Sequence, residues 1–518
     1  MTPAFSSTAE KQTVTRELIR LLRHSSHYLT GLVFSLALGF ISFPIYTRVF
    51  SVADYGSIDF IQRILLLFTA FSKLGMQNSA LRFFNRGEFE SHPERARKYY
   101  STMFLGMAAT SGLVTILFAC AVRLNPLSWI DAGIAGILFF TSGMIFLRAL
   151  ESILWSFLRI EERTKAYTGY QILIKALTLA VICGILYFTG RSARHFFTGM
   201  IMVEGFIVAY MVYLLLRRGI IHFRFFDIKL FWTAISFGMP LIVYEIASIV
   251  LDSGDRVLVR RYLGADALGQ YSVAYGLSSY VNDLMIVPLN LALLPIYMRM
   301  WNTEGMEKTC KFLSAAFNLF VIVAAGVFTL AFVGSHDAVR LLASSKYGSE
   351  SGLIPVIVAG LLIYTTQVFL SAGLLIHKKT MAMARALLLS ALLNIVLNTI
   401  LLPRMGLAGA AAATLVSYGF CILWLARSSF RVLPLSIDFA TMGRAGLASA
   451  ITCALVSRIE INMAIANLAV RGAAATLLFG ALMAGFDPKV RSIALDLWDK
   501  FRLRGAPMHQ VEVGAVEG

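Results

Sequence analysis

The sequence predicts an all-α polytopic membrane protein with about 14 transmembrane helices, and three observations carry that reading. Of 518 residues, 58% are hydrophobic and only 14% charged, whereas soluble domains run near 25% charged; mean hydropathy is +0.73. Apolar stretches long enough to cross ~30 Å of hydrocarbon recur along the chain. The Lys and Arg side chains gather in the short connections between them. Disorder is excluded by 38 Phe and 19 Tyr, because disordered chains are poor in aromatics. The net charge of +17 forms no single basic stripe, so nucleic acid is not an expected partner.

The expected spans are 28–49, 57–81, 99–122, 131–157, 167–189, 195–216, 231–251 and 271–297, then 312–334, 353–376, 380–402, 406–426, 439–457 and 461–485. The positive-inside rule orients them. With the segment bearing Lys11, Arg16, Arg20 and Arg23 in the cytoplasm, 29 Lys/Arg fall inside, 11 outside and six within spans. Both termini are then cytoplasmic. The first 26 residues form a polar, basic tail, and the first apolar run reads as an uncleaved signal anchor. Residues 487–518 lack periodicity and read as a disordered cytoplasmic tail. The outside loops are too short to hold a separate catalytic domain.

An internal repeat relates the first and seventh spans. Each carries a proline (Pro44, Pro240), ends near arginines (Arg48; Arg256, Arg260, Arg261) and continues through an acidic Tyr/Gly turn. The turns are Ser51-Val-Ala-Asp54-Tyr55-Gly56 and Gly264-Ala-Asp266-Ala-Leu-Gly269-Gln-Tyr271. A separation of six helices keeps both copies in one orientation, as in transporters with two lobes about a membrane-normal axis. The expected division is therefore an N-lobe over 27–230, a C-lobe over 231–430 and two further helices over 431–486.

No Walker A, HExxH, GxSxG or dinucleotide fingerprint occurs. The five Cys show no CxxC or CxxH spacing, so neither a metal site nor a disulfide framework is indicated. No cofactor is expected, and the chain does not read as an enzyme. The informative residues are the ionisable ones inside spans, since a mid-membrane charge costs ~2.5–3.5 kcal/mol and faces a cavity or a partner. Arg63, Lys73, Arg148 and Lys175 are candidate cavity cations for an anionic headgroup. Arg63 and Lys73 lie about 15 Å apart along one helix and suit a ladder along one lumen. For Lys73, Arg148 and Lys175, snorkelling toward the interface is the competing reading. Arg148 also pairs naturally with Glu151 at i+3. Glu204, Glu245 and Asp283 sit near mid-span and are candidates for coupling to H+ or Na+, against the alternative of carboxylates satisfied by hydroxyls. Asp252 and Asp255, beside Arg256, read as a surface network at the outer edge of the seventh span. The run Asn394-x3-Asn398-x4-Pro403-x2-Gly406-x2-Gly409-Ala410-Ala411-x2-Thr414 reads as helix packing.

Three motif groups carry a resemblance: Arg48-x2-Ser51-x2-Asp54-Tyr55-Gly56 with Gly75 and Arg82; Gly238-Met239-Pro240 with Asp255-Arg256 and Leu268-Gly269-x-Tyr271; and the Asn394–Thr414 run. In order and spacing they resemble the bacterial polysaccharide or O-antigen flippases of the multidrug/oligosaccharidyl-lipid/polysaccharide exporter superfamily. The resemblance implies two six-helix lobes in a V shape around a central cavity, plus two extra helices. It also implies flipping of a polyprenyl-diphosphate-linked oligosaccharide across the cytoplasmic (inner) membrane by alternating access, for exopolysaccharide or O-antigen synthesis. Partners would be that lipid-linked substrate, membrane lipids and a polysaccharide polymerase or synthase. The alternative functions are a cation-coupled multidrug exporter of the same superfamily, which needs an acidic aromatic cavity, and a membrane-embedded polymerase or ligase.

Overall fold

The computed structural model describes residues 31, 33–124 and 130–492; the expected basic tail 1–26 and most of the tail 487–518 lie outside the described residues. Everything described is helix and short connection, with no strand. Helices α1 (Val33–Val49), α2 (Val52–Ser72), α3 (Met76–Phe83), α4 (Arg86–Ser91) and α5 (Pro93–Leu124) open the chain. They are followed by α6 (Ala132–Thr141), α7 (Gly143–Ile160), α8 (Thr164–Phe188) and α9 (Ala193–Arg217). The second half comprises α10 (Ile228–Ala338), α11 (Leu353–Thr365), α12 (Gln367–Leu370), α13 (Ala372–Ile376), α14 (Thr380–Phe430), α15 (Phe439–Val456) and α16 (Ala464–Phe486).

Among the described residues, nine helical runs are long and apolar enough to cross a membrane. Two are not single rods: α10 reverses at Gly264 and Gly305 and α14 at Gly406, where φ is 89°, 81° and 58°. Glycine adopts such angles without the Cβ penalty, so these positions turn the chain while hydrogen bonding continues almost unbroken. Large apolar side chains cover the outside, including Leu423 at 72% and Leu477 at 73% exposure. Water would not tolerate that surface over so much of a chain, and lipid does. Inside, hydroxyls donate to carbonyls one turn back, as with Ser111 to Met107 (2.6 Å), Ser390 to Ala386 (2.7 Å) and Thr452 to Ala448 (2.7 Å). They so satisfy themselves within one helix.

The sequence motifs become joints. Ser51 caps α2, accepting from the Asp54 N–H at 3.0 Å and donating to the Asp54 carboxylate at 2.6 Å. Arg48 donates to the Leu341 and Leu342 carbonyls at 2.5 and 3.3 Å, closing the π-helical turn Val339–Ala343 that follows α10. The two turn segments meet directly. A Cβ on Gly56 would lie 2.3 Å from the Ala265 carbonyl oxygen, and one on Gly269 would lie 2.1 Å from that of Val52. Only paired glycines allow backbones this close.

Candidate functional site

Helix α2 runs antiparallel to the first segment of α10. Along their seam, Asp59 faces Arg256 (3.5 Å), Arg63 donates to Ser253 (3.4 Å) and Lys73 donates to Glu245 (2.5 Å). Gln77 adds a 2.9 Å bond to the other Glu245 oxygen. Glycines close both ends: Gly56 meets Ala265 and Gly269, while a Cβ on Gly75 would stand 2.4 Å from the Gly238 carbonyl oxygen. The ladder of Arg63 and Lys73 therefore exists on one helix face, but each rung has a counter-ion. Arg63 holds Asp59 at 3.1 Å one turn back, and Lys73 holds Glu245.

Beside this seam, within the amino-terminal half, lies a slot of about 580 Å³ with a mixed wall, polar groups set among Ile174, Ile182, Phe196 and Met200; by contrast with the apolar groove across α1, it is the polar slot. Helices α1, α2, α7, α8 and α9 form it. Two i, i+4 pairs set its inner wall, Glu151 with Trp155 on α7 and Gln171 with Lys175 on α8. Arg148 does not pair with Glu151. It reaches Glu204 on α9 with Nε at 3.2 Å and Nη2 at 3.1 Å, a two-fold contact of the planar guanidinium with both oxygens of a facing carboxylate. Glu151 is left without a hydrogen bond or ion pair among the described residues. Lys175 likewise forms no ion pair within 4 Å, although it feels the charge of Asp283 on the second α10 segment.

Helix α1 is the wall between two different spaces. Ser35, Leu38, Gly39, Ser42 and Tyr46 form one stripe that faces the polar slot. Val33, Leu36, Ala37 and Phe40 form the opposite stripe and face an apolar groove of about 650 Å³. Tyr280, Leu284, Leu330 and Leu468 contribute its other sides, from α10 and α16. A Cβ on Gly39 would meet the Tyr280 hydroxyl at 3.2 Å, so α1 packs closely on α10 at this height.

A family model described as polysaccharide biosynthesis protein matches residues 21–301, more than half of the chain. The chain belongs to that family. In fold it is similar to the lipid II flippase MurJ in its inward closed conformation, with a TM-score of 0.70 and 15% identity, covering 89% of this chain and 99% of that one. It is also similar to an inward-facing multidrug resistance MATE family transporter of the MOP superfamily, with a TM-score of 0.63, 10% identity and coverage of 77% and 94%. Among curated relatives, a protein of the Lsg locus of Haemophilus influenzae is 22% identical over 54% of this chain and 66% of its own length. An uncharacterized membrane protein of Methanocaldococcus jannaschii is 22% identical over 44% of each chain. The chain thus spans less than two thirds of the length of these relatives. The fold is that of transporters, and the protein is a multi-pass membrane protein.

In this family member the expectation of a surface network at Asp252, Asp255 and Arg256 fails. Asp255 is 0% and Arg256 1% exposed. The helix continues past 251 to Gly264, which carries these charges inward by two to three turns. Arg256 lies 3.8 Å above the Tyr275 ring and donates to the Asp252 carbonyl at 2.7 Å. Asp255 accepts from Tyr271 at 2.6 Å and Thr414 at 3.2 Å. The asparagines join the same network: Asn394 donates to Thr414 at 3.4 Å, and Asn398 to Asn394 at 3.1 Å. Sequence reasoning missed Trp155, Gln171, Gln62 and Tyr46 in the slot, since they carry no charge. Trp155 and Gln171 do stand four residues from a charged partner on an apolar helix, Trp155 after Glu151 and Gln171 before Lys175. Among the described residues, no three metal-ligating side chains gather.

Proposed function

We propose that this protein flips a polyprenyl-diphosphate-linked oligosaccharide across a bacterial cytoplasmic membrane by alternating access, without enzymatic chemistry of its own. The observation that carries this is α1, one helix with a polar slot on one face and an apolar groove on the other. A lipid-linked glycan is an amphiphile of that pattern: the chain remains in the groove while the headgroup occupies the slot. Cutting α10 and α14 at Gly264, Gly305 and Gly406 and joining α6 to α7 and α11 to α13 yields fourteen crossings. That count agrees with two six-helix lobes, two further helices and cytoplasmic termini. The Gly75 end of the seam then faces the cytoplasm and the Gly56 end the outside.

Lys175, without a carboxylate partner among the described residues, is the first cation offered to the diphosphate. Lys73 and Arg148 become available by exchange. A phosphate oxygen that takes Lys73 releases Glu245 and frees α2 from α10 at the cytoplasmic end. A proton or Na+ then neutralises the carboxylate, which couples Glu245, and by the same logic Glu204, to an ion gradient. Asp283 faces Lys175 and resets it when the cargo leaves.

Mass spectrometry of lipid extracts from cells depleted of the protein tests the reading. Accumulated polyprenyl-diphosphate oligosaccharide with loss of surface polysaccharide is expected. Unchanged lipid pools, with new sensitivity to cationic drugs, would transfer the assignment to a multidrug exporter.

A further inference from the structure

The slot is lined by polar groups that do not satisfy one another. The Trp155 Nε1 is buried with no hydrogen-bond partner. Glu151, Lys175 and Thr178 also make no hydrogen bond among the described residues, although all four side chains line one space. A buried donor left open costs about 1–3 kcal/mol, so the Trp155 N–H, with the half-buried Glu151 and Thr178 and the exposed Lys175 around the same space, suits a ligand that completes them. Gln171 is held ready, with its amide donating to the Tyr167 hydroxyl at 2.9 Å. The Trp155 ring is braced edge-on by the same Tyr167, centroids 5.8 Å apart.

The chemistry of the set selects the ligand. A proton needs one carboxylate and leaves the indole N–H, the ammonium and the hydroxyl unmet. A phosphate only accepts, so it suits Lys175 and Trp155 but leaves the Gln171 amide oxygen unmet. A sugar ring both donates and accepts through each hydroxyl and offers an apolar face to an indole. A volume of about 580 Å³ falls within the ~300–1,000 Å³ of small-molecule sites.

We propose that the slot is the seat of the glycan's lipid-proximal sugar, a pyranose ring laid against Trp155 with Glu151, Gln171 and Thr178 on its hydroxyls and Lys175 on the adjoining phosphate. This rests on the flippase reading and adds that the protein reads the sugar as well as the diphosphate. Along α8 the order follows, since Gln171 and Lys175 are one turn apart, about 6 Å, which is the scale of a sugar and its anomeric phosphate.

The test uses the full chain in lipid nanodiscs and two probes, undecaprenyl diphosphate and the same lipid carrying one hexose. Wild type is expected to bind the glycosylated probe roughly tenfold more tightly, a difference of about 1.4 kcal/mol. Trp155→Leu and Gln171→Ala should bring that ratio near one, Trp155→Phe should keep part of it, and Lys175→Ala should weaken both probes. Thermal melts of each variant establish folding before the ratio is read, and Trp155→Phe, which keeps the ring, replaces any variant that does not fold. A wild-type ratio of one, or a ratio unmoved by Trp155→Leu and Gln171→Ala, overturns the sugar seat while leaving the flippase reading intact. Failure of wild type to bind either probe overturns both.

Discussion

The two halves of the chain use polar residues in different ways. In the second half, Asp255, Arg256, Tyr271, Tyr275, Asn394 and Thr414 are buried and bonded largely to one another. In the first half, Glu151, Trp155 and Lys175 surround an open slot with their bonding capacity unspent. A network in which the charges and hydroxyls mostly answer one another is a structural fixture. An open one is a place for something else. The difference teaches that an intramembrane charge points to function only when its neighbours leave it incomplete.

The sharpest way to break this comparison is Arg256→Ala. It leaves Asp255 buried without its cation and Asp59 with Arg63 alone, and should cost about 3–5 kcal/mol, read as lost monodisperse protein and a lowered melting temperature. If that variant melts like wild type, the second-half network is not structural. Gly56→Val comes next. Its Cβ would fall 2.3 Å from the Ala265 carbonyl oxygen, and the forced separation of α2 from α10 should cost about 1–3 kcal/mol and abolish polysaccharide export.

Smaller effects sharpen the contrast. Glu245→Gln keeps the shape of the Lys73 contact but removes its charge; a cysteine introduced near the Gly75 end of the seam should then label faster, with little change in melting. Glu151→Gln should move stability by less than about 0.5 kcal/mol, since the carboxylate has no partner to lose, yet lower export of the glycan. An effect on stability as large as that of Arg256→Ala would erase the distinction between the halves.

The smallest effect is expected outside the membrane, at the start of α15. Lys489 and the Thr441 N–H and hydroxyl hold the Asp438 carboxyl well below the usual carboxylate range. A depressed folded value contributes stability above the unfolded pKa of ~3.9 that is lost as pH falls through the lower folded one. Melting of wild type should therefore drop faster than that of Asp438→Asn as the pH is taken below about 4.

Much of the fold was legible in one dimension, because burial in lipid requires every backbone group to bond within its own helix and so forces long apolar runs. The expected spans fall on helices among the described residues, although the second, 57–81, runs over the break between α2 and α3, and the turn motifs at Ser51–Gly56 and Gly264–Gly269 pack α2 against α10. The seventh span was misjudged at its end, since charges at 252–256 look like an exit from the membrane when only their partners on α2 and α14 show that they are buried. The candidate cations were likewise visible as residues but not as a site. Whether Arg148 answers Glu151 or Glu204 depends on which helix stands opposite, and whether Trp155 and Gln171 line anything depends on α1 lying across from them.

Composition and periodicity thus determined the class and the helices, for these are set by the cost of exposing peptide groups and charges to hydrocarbon. Tertiary structure alone decided which polar groups are closed and which stay open, because a charge is completed by groups distant in sequence, across helix faces that no local pattern encodes.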